Sequence, residues 1–137
     1  MRGEGKGYTE EGGEGAVFVK VRRAFTAGAV LFLLFLFIVP SLYLRDQCTA
    51  LNELCDRVLA GDRAAYADLQ ARYEAMRSRA ELFLDHRVMD DATVPLRLMD
   101  VYMEAGDQTS LRAAAAEFKQ ALECMLSIET GDLRLLL

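Results

Sequence analysis

Hydrophobic and polar positions divide the chain sharply at one place: from Ala24 to Leu44 there is no charged residue, and the stretch includes the unbroken run Val30-Leu31-Phe32-Leu33-Leu34-Phe35-Leu36-Phe37-Ile38-Val39. About 21 positions at about 1.5 Å each give about 31 Å, the thickness of a bilayer's hydrocarbon core. A soluble core helix would keep a polar stripe, and this one has none. The run is also longer than the apolar stretch of a cleaved signal peptide. No small-x-small pair precedes Arg45-Asp46, and Arg45, Asp46 and Gln47 do not make a lipoprotein cleavage site before Cys48. The pattern predicts an uncleaved single-pass anchor over residues 20–44, with Phe25, Leu31, Phe32, Leu34, Phe35, Phe37 and Ile38 facing the lipid bilayer. Lys20, Arg22 and Arg23 crowd its N-terminal flank and only Arg45 lies close on the other. The positive-inside rule then puts the N-terminus in the cytoplasm and the rest outside the cell membrane. Pro40 falls near the outer end, where a freed carbonyl is close to water, and Tyr43 suits the interfacial aromatic belt.

Beyond Leu44 the apolar spacing becomes helical. Leu51, Leu54, Cys55, Val58 and Leu59 share one side of a segment that continues the membrane helix outward until Gly61-Asp62, a helix stop followed by an N-cap. Tyr66, Leu69, Tyr73, Met76, Ala80 and Phe83 draw a narrow seam along a second helix. Acid-to-base pairs four apart, Asp68 with Arg72 and Glu53 with Arg57, suit exposed helix faces. A third helix carries Met89, Ala92, Leu96, Met99 and Met103 inward and ends at Gly106, with Pro95 either kinking it or opening its first turn. A fourth follows the caps at Asp107–Ser110, with Leu111, Ala114, Phe118, Leu122, Met125 and Ile128 on its apolar face, until Gly131-Asp132 punctuates the chain before Leu133–Leu137. Ala60-Gly61-Asp62 and Ala105-Gly106-Asp107 each introduce an Ala-rich helix, which suggests two successive helical hairpins. Two copies are too few for a solenoid. The expected fold is all-α: one transmembrane helix, then a small antiparallel bundle of three to four helices over residues 45–137, outside the membrane.

Residues 1–19 are mostly Gly and Glu and cannot bury enough apolar surface to order themselves, so they read as a disordered cytoplasmic tail. The 137-residue chain has a formal net charge of -5, concentrated after Leu44. With no basic stripe to displace counterions from phosphates, nucleic acid is not an expected partner. Three cysteines, Cys48, Cys55 and Cys124, lack the paired spacing of a zinc site and read first as small buried residues. Cys48 and Cys55, about 10.5 Å apart along one helix, cannot bridge each other. A Cys55–Cys124 bond, or Cys48 to Cys48 across a dimer, is the disulfide an oxidising compartment would allow.

Candidate chemistry is sparse. His86, the single histidine, lies four residues before Asp90 and beside Asp85, a polar cluster with one half of a metal pair and no second set of donors. No Ser-His-Asp or Cys-His arrangement is legible, and Gly3, Gly5 and Gly7 have the wrong spacing for a phosphate loop. Neither an enzyme nor a cofactor is therefore expected. Arg72, Arg77, Arg79 and Arg87 offer a cationic patch to an acidic partner unless neighbouring acids neutralise them.

The stretch from Leu82-Phe83-Leu84-Asp85-His86 through Gly106-Asp107, Leu111, Leu122 and Ile128-Glu129 to the final leucines resembles the domain-of-unknown-function family numbered 4363, small bacterial membrane proteins. The resemblance implies a membrane-anchored helical domain and no established activity. The chain has no Trp where the family's second helix commonly carries one, and Leu135 stands where an Asn is common.

Together these readings point to a non-enzymatic interaction protein or accessory subunit that accompanies another integral membrane protein or its own copies. The alternative is an extracytoplasmic sensor holding a small apolar ligand in a gap lined by Met76, Met99, Tyr102 and Met103. Gly12-Gly13-Glu14-Gly15 also reads as a translated purine-rich ribosome-binding site, which would place the natural start near Val17, Val19 or Val21. Intact mass spectrometry of the natively expressed protein decides this: that reading expects a mass beginning at one of those positions, and a chain beginning at Met1 excludes it.

Overall fold

The computed structural model describes residues 12–135, with side chains from Gly13 to Ile128. Within them the chain forms four helices and no strand: α1 (Gly12–Leu59), α2 (Arg63–Ala80), α3 (His86–Ala105) and α4 (Gln108–Leu135). They fall into two units, one ending at Val39 and one beginning at Pro40, both of which α1 enters.

Among the described residues of the first unit α1 stands alone. Every side chain from Gly13 to Val39 is exposed, the run Val30–Val39 included. This helix is apolar and long enough to cross a membrane. It begins at Gly12, inside the segment expected to be a disordered tail. Glu14 sits in the first turn, where the helix dipole favours an acid, and no breaker follows until Pro40. Residues 1–11 lie outside the described residues.

The second unit is a helical bundle around one apolar core. α1 supplies Leu44, Cys48, Leu51, Cys55 and Val58, all buried and spaced by three or four residues. Leu44, the last residue of the expected anchor, belongs to this core, and the second unit begins at Pro40.

α2 buries Tyr66, Leu69, Tyr73, Met76 and Ala80, the seam its spacing predicts. Tyr66 and Tyr73 lie two turns apart, so both rings point into the core and their hydroxyls must find acceptors there. Tyr66 Oη donates to the Leu96 carbonyl at 2.9 Å, and Tyr73 Oη to the Met89 carbonyl at 2.6 Å. The partner number falls on α3 as it rises on α2, so these two helices run in opposite directions. Arg72 Nε to Gln47 Oε1 at 3.0 Å and Arg79 Nη1 to Tyr43 Oη at 3.3 Å show the same reversal between α2 and α1. α4 brings Phe118 edge-on to Tyr73, with ring centroids 5.7 Å apart and planes at 72°.

Two of the turns share one chemistry. Gly61 and Gly106 take positive φ, 100° and 69°, which side chains resist and glycine accepts freely. Each is followed by an N-capping aspartate: Asp62 Oδ1 accepts from the Ala65 N–H at 3.2 Å, and Asp107 Oδ1 from the Ser110 N–H at 3.1 Å. The chain turns differently between α2 and α3. Phe83 and Leu84 N–H groups both bond back to the Ala80 carbonyl, at 2.9 and 2.8 Å, and Asp85 caps α3.

Several details depart from the periodicity. Pro95 sits in the middle of α3 with its ring buried, and the Asp91 carbonyl it leaves without an intrahelical donor belongs to an exposed residue that water can reach. Phe83 lies past the end of α2 and is exposed, as is Ile128, while Met103 is half-buried. Gly131 does not stop α4, which continues to Leu135. Within a helix Gly costs only about 1 kcal/mol relative to Ala, too little to break one alone.

Tyr73→Phe removes one hydroxyl but orphans nothing, because Thr93 Oγ1 still donates to the Met89 carbonyl at 2.8 Å. Urea unfolding of the full chain in detergent should show a loss of about 1 kcal/mol for that variant. Phe118→Ala, which empties a fully buried ring site, should lose about 3–5 kcal/mol in the same assay.

Candidate functional site

The residues singled out as the membrane face are held outward by α1 itself. Phe25, Leu31, Phe32, Leu34, Phe35, Phe37 and Ile38 are all at least half exposed, Phe25 by 79% and Leu34 by 50%. Nothing among the described residues of the first unit covers them. A helix apolar all round in water is costly, because each buried CH₂ is worth about 0.8 kcal/mol that this arrangement leaves unclaimed.

The expected polar cluster does not assemble. Asp85 is committed as the N-cap of α3, its Oδ1 accepting from the Arg87 N–H at 3.2 Å. Asp90 faces α2 and lies 3.5 Å from Arg77 Nη2. His86 is exposed in the first turn of α3. Among the described residues no three His, Cys, Asp or Glu side chains are grouped to hold a metal.

Within the chain, Cys55 and Cys124 are not bonded to each other. Cys48 and Cys55 are fully buried in α1's core stripe and Cys124 is exposed on α4. A Cys48 pair across a dimer would have to open the core to meet. Burial pushes the Cys55 thiol up to about 11, against the lowering influence of Lys119. Lys119 Nζ also donates to Asp56, tying α4 to α1 beside that thiol.

The proposed ligand gap is filled by its own lining. Met76 and Met99 are fully buried members of the core, with Tyr102 and Met103 packed against it. An open groove of about 470 Å³ lies instead along α1 and α2, lined by Ala50, Glu53, Leu54, Arg57, Asp68, Ala71 and Arg72.

Neither acid-base pair expected along a helix forms. Arg72 turns to Gln47, and Arg57 pairs with Asp62 at 2.6 Å. That contact, with the Ala65 N–H, holds the Asp62 carboxyl below its usual range. Arg77 is the hub that periodicity missed. It reaches Glu81 at 3.0 Å, Asp90 and Thr93 Oγ1 at 3.4 Å, linking the end of α2 to the start of α3. Arg79 lies 5.6 Å over the Tyr43 ring. The cationic patch is thus largely engaged within the protein: Arg72, Arg77 and Arg79 each meet another side chain, while Arg87 projects into solvent without a side-chain ion pair among the described residues. Apart from the four-residue spacing of Arg77 and Glu81, sequence carried no signal for these pairings, which join residues up to 36 apart. One buried acceptor, Asn52 Oδ1, has no hydrogen-bond partner.

No known protein family, curated protein or solved structure matches this chain. The likeness to the family numbered 4363 therefore rests on the residues quoted above.

Two outcomes follow from the cysteines. Alkylation of the folded protein near neutral pH, read by mass spectrometry, should modify Cys124 well before Cys48 or Cys55, with all three reacting after denaturation. Cys55 binds its proton more tightly folded than unfolded, so its contribution to stability is intact below the unfolded thiol's pKa and is lost as pH rises through about 11. Burial likewise raises the Tyr66 phenol to about 12, extending the loss upward. Chemical denaturation should show stability falling above about pH 9 by an amount on the order of 2 kcal/mol, and Cys55→Ala should flatten the lower part of that fall.

Proposed function

We propose that this protein is a single-pass membrane protein whose helical domain works by contact rather than by catalysis, as an accessory subunit of another integral membrane protein or as a self-associating anchor. The observation that carries this reading is the bare helix. α1 leaves its whole Phe/Leu face from Phe25 to Val39 unburied and then, as the same helix, supplies the Leu44, Cys48, Leu51, Cys55 and Val58 stripe of a folded core. Lipid, or another transmembrane helix, is the medium that covers such a face at a gain. The direction of the side-chain pairs supports an antiparallel bundle whose first member is this outward continuation of α1. The basic flank of Lys20, Arg22 and Arg23 favours a cytoplasmic N-terminus and an extracytoplasmic domain. The resemblance to the family numbered 4363 implies the same organisation.

Purification of the full-length protein from membranes in mild detergent, with mass-spectrometric identification of what accompanies it, tests the reading. A stoichiometric integral membrane protein, or crosslinked copies of this chain, is the expected result. Monomer alone, with no stoichiometric companion, counts against an accessory or self-associating role.

A further inference from the structure

The turn between α2 and α3 places two exposed large apolar side chains next to each other. Leu82 is 79% and Phe83 59% exposed, adjacent at this tip, while Leu84 beside them packs against the core. Chain direction fixes where this tip lies. Arg79 donates to Tyr43 Oη at 3.3 Å and stacks 5.6 Å over its ring, so the end of α2 is level with the first turn of the domain, where α1 arrives from its apolar segment. The Phe83 and Leu84 N–H groups fold back onto the Ala80 carbonyl, keeping the tip within about one helical turn of that level.

Charge around the tip is arranged to match. Its two acids are occupied, Glu81 by Arg77 and Asp85 by capping α3, while Arg87 and His86 stand exposed just beyond. An apolar tip of Leu and Phe beside the cationic Arg87, with its own acids satisfied, fits the headgroup boundary of a bilayer, where aromatic and aliphatic side chains enter the acyl edge and bases meet phosphates.

We infer that the Leu82-Phe83 tip is a second membrane contact, dipping into the outer interface of the same bilayer that α1 spans and so fixing how the domain lies on it. This inference rests on the membrane-anchored reading above. α1 alone would leave the domain free to swivel about one helix; a second contact at the tip removes that freedom.

The chain has no tryptophan, so one introduced residue reports without background. The full-length protein is reconstituted into phosphatidylcholine vesicles as Phe83→Trp, Leu82→Trp, Phe35→Trp or Val101→Trp. Emission is then recorded with plain lipid and with lipid brominated near either end of its acyl chains. Unchanged circular dichroism shows that each variant folds. Expected for Phe83→Trp and Leu82→Trp is blue-shifted emission with loss of fluorescence to bromines near the headgroup. Phe35→Trp should lose fluorescence to the deep bromines, and Val101→Trp, exposed along α3 well away from the tip, to neither. Water-like, unquenched emission from both tip variants while Phe35→Trp is quenched overturns the inference and leaves the anchor standing. Blue-shifted but unquenched tip emission overturns it as well, placing the tip against protein. Unquenched Phe35→Trp overturns the anchored reading and the inference with it.

Discussion

Tyr73 ties three helices together at one point. Its ring comes from α2 and packs T-shaped with Phe118 of α4, and its hydroxyl donates to the Met89 carbonyl of α3 and lies 2.9 Å from Thr93 Oγ1. A fully buried tyrosine is tolerable only when its hydroxyl is satisfied, and here the acceptor is a backbone carbonyl that also serves the α3 ladder. That requirement sets both the distance and the direction of α2 against α3. Tyr66 repeats the device two turns earlier on the Leu96 carbonyl. Small residues then let α4 close over the pair: Ala114, Ala115 and Ala121 are buried around Phe118. Apolar burial drives such a core together, while two phenols decide which register it takes.

The domain's polar residues do a different job. Arg57 and Arg72 reach a cap or another element instead of the acid one turn away, and Arg77 and Arg79 also reach neighbouring helices. Partly exposed contacts of this kind are worth little individually, about 0–1 kcal/mol, but they mark out which ends of the helices lie together. Arg79 over Tyr43 and Arg77 between Glu81 and Asp90 both sit at the end where α1 enters the domain. The opposite end is closed by the paired Gly-Asp turns, where positive φ and a carboxylate cap make compact reversals.

Much of this was legible in the sequence, and the divisions are instructive. The apolar run that leaves no polar stripe, the seam of Tyr66, Leu69, Tyr73, Met76 and Ala80, and the two Gly-Asp stops are local patterns whose physics operates within a turn or two. Phe83 followed the same spacing as that seam and was misplaced by it, since periodicity does not reveal that α2 stops at Ala80. The polar cluster of Asp85, His86 and Asp90 failed for a similar reason. One aspartate was needed as a cap and the other met a base on a neighbouring helix.

What the sequence determined by itself is therefore the all-helical character, the place of the apolar membrane-length segment and the faces that must be buried, because these depend on side-chain hydrophobicity at a 3.6-residue period. Tertiary structure alone decided that the second unit begins at Pro40 and draws Leu44 into its core, that Cys55 and Cys124 stay apart, and that the arginines bind across helices. Those outcomes depend on which helices become neighbours and in which direction, and hydrogen bonds such as those of Tyr66 and Tyr73 exist only once that choice has been made.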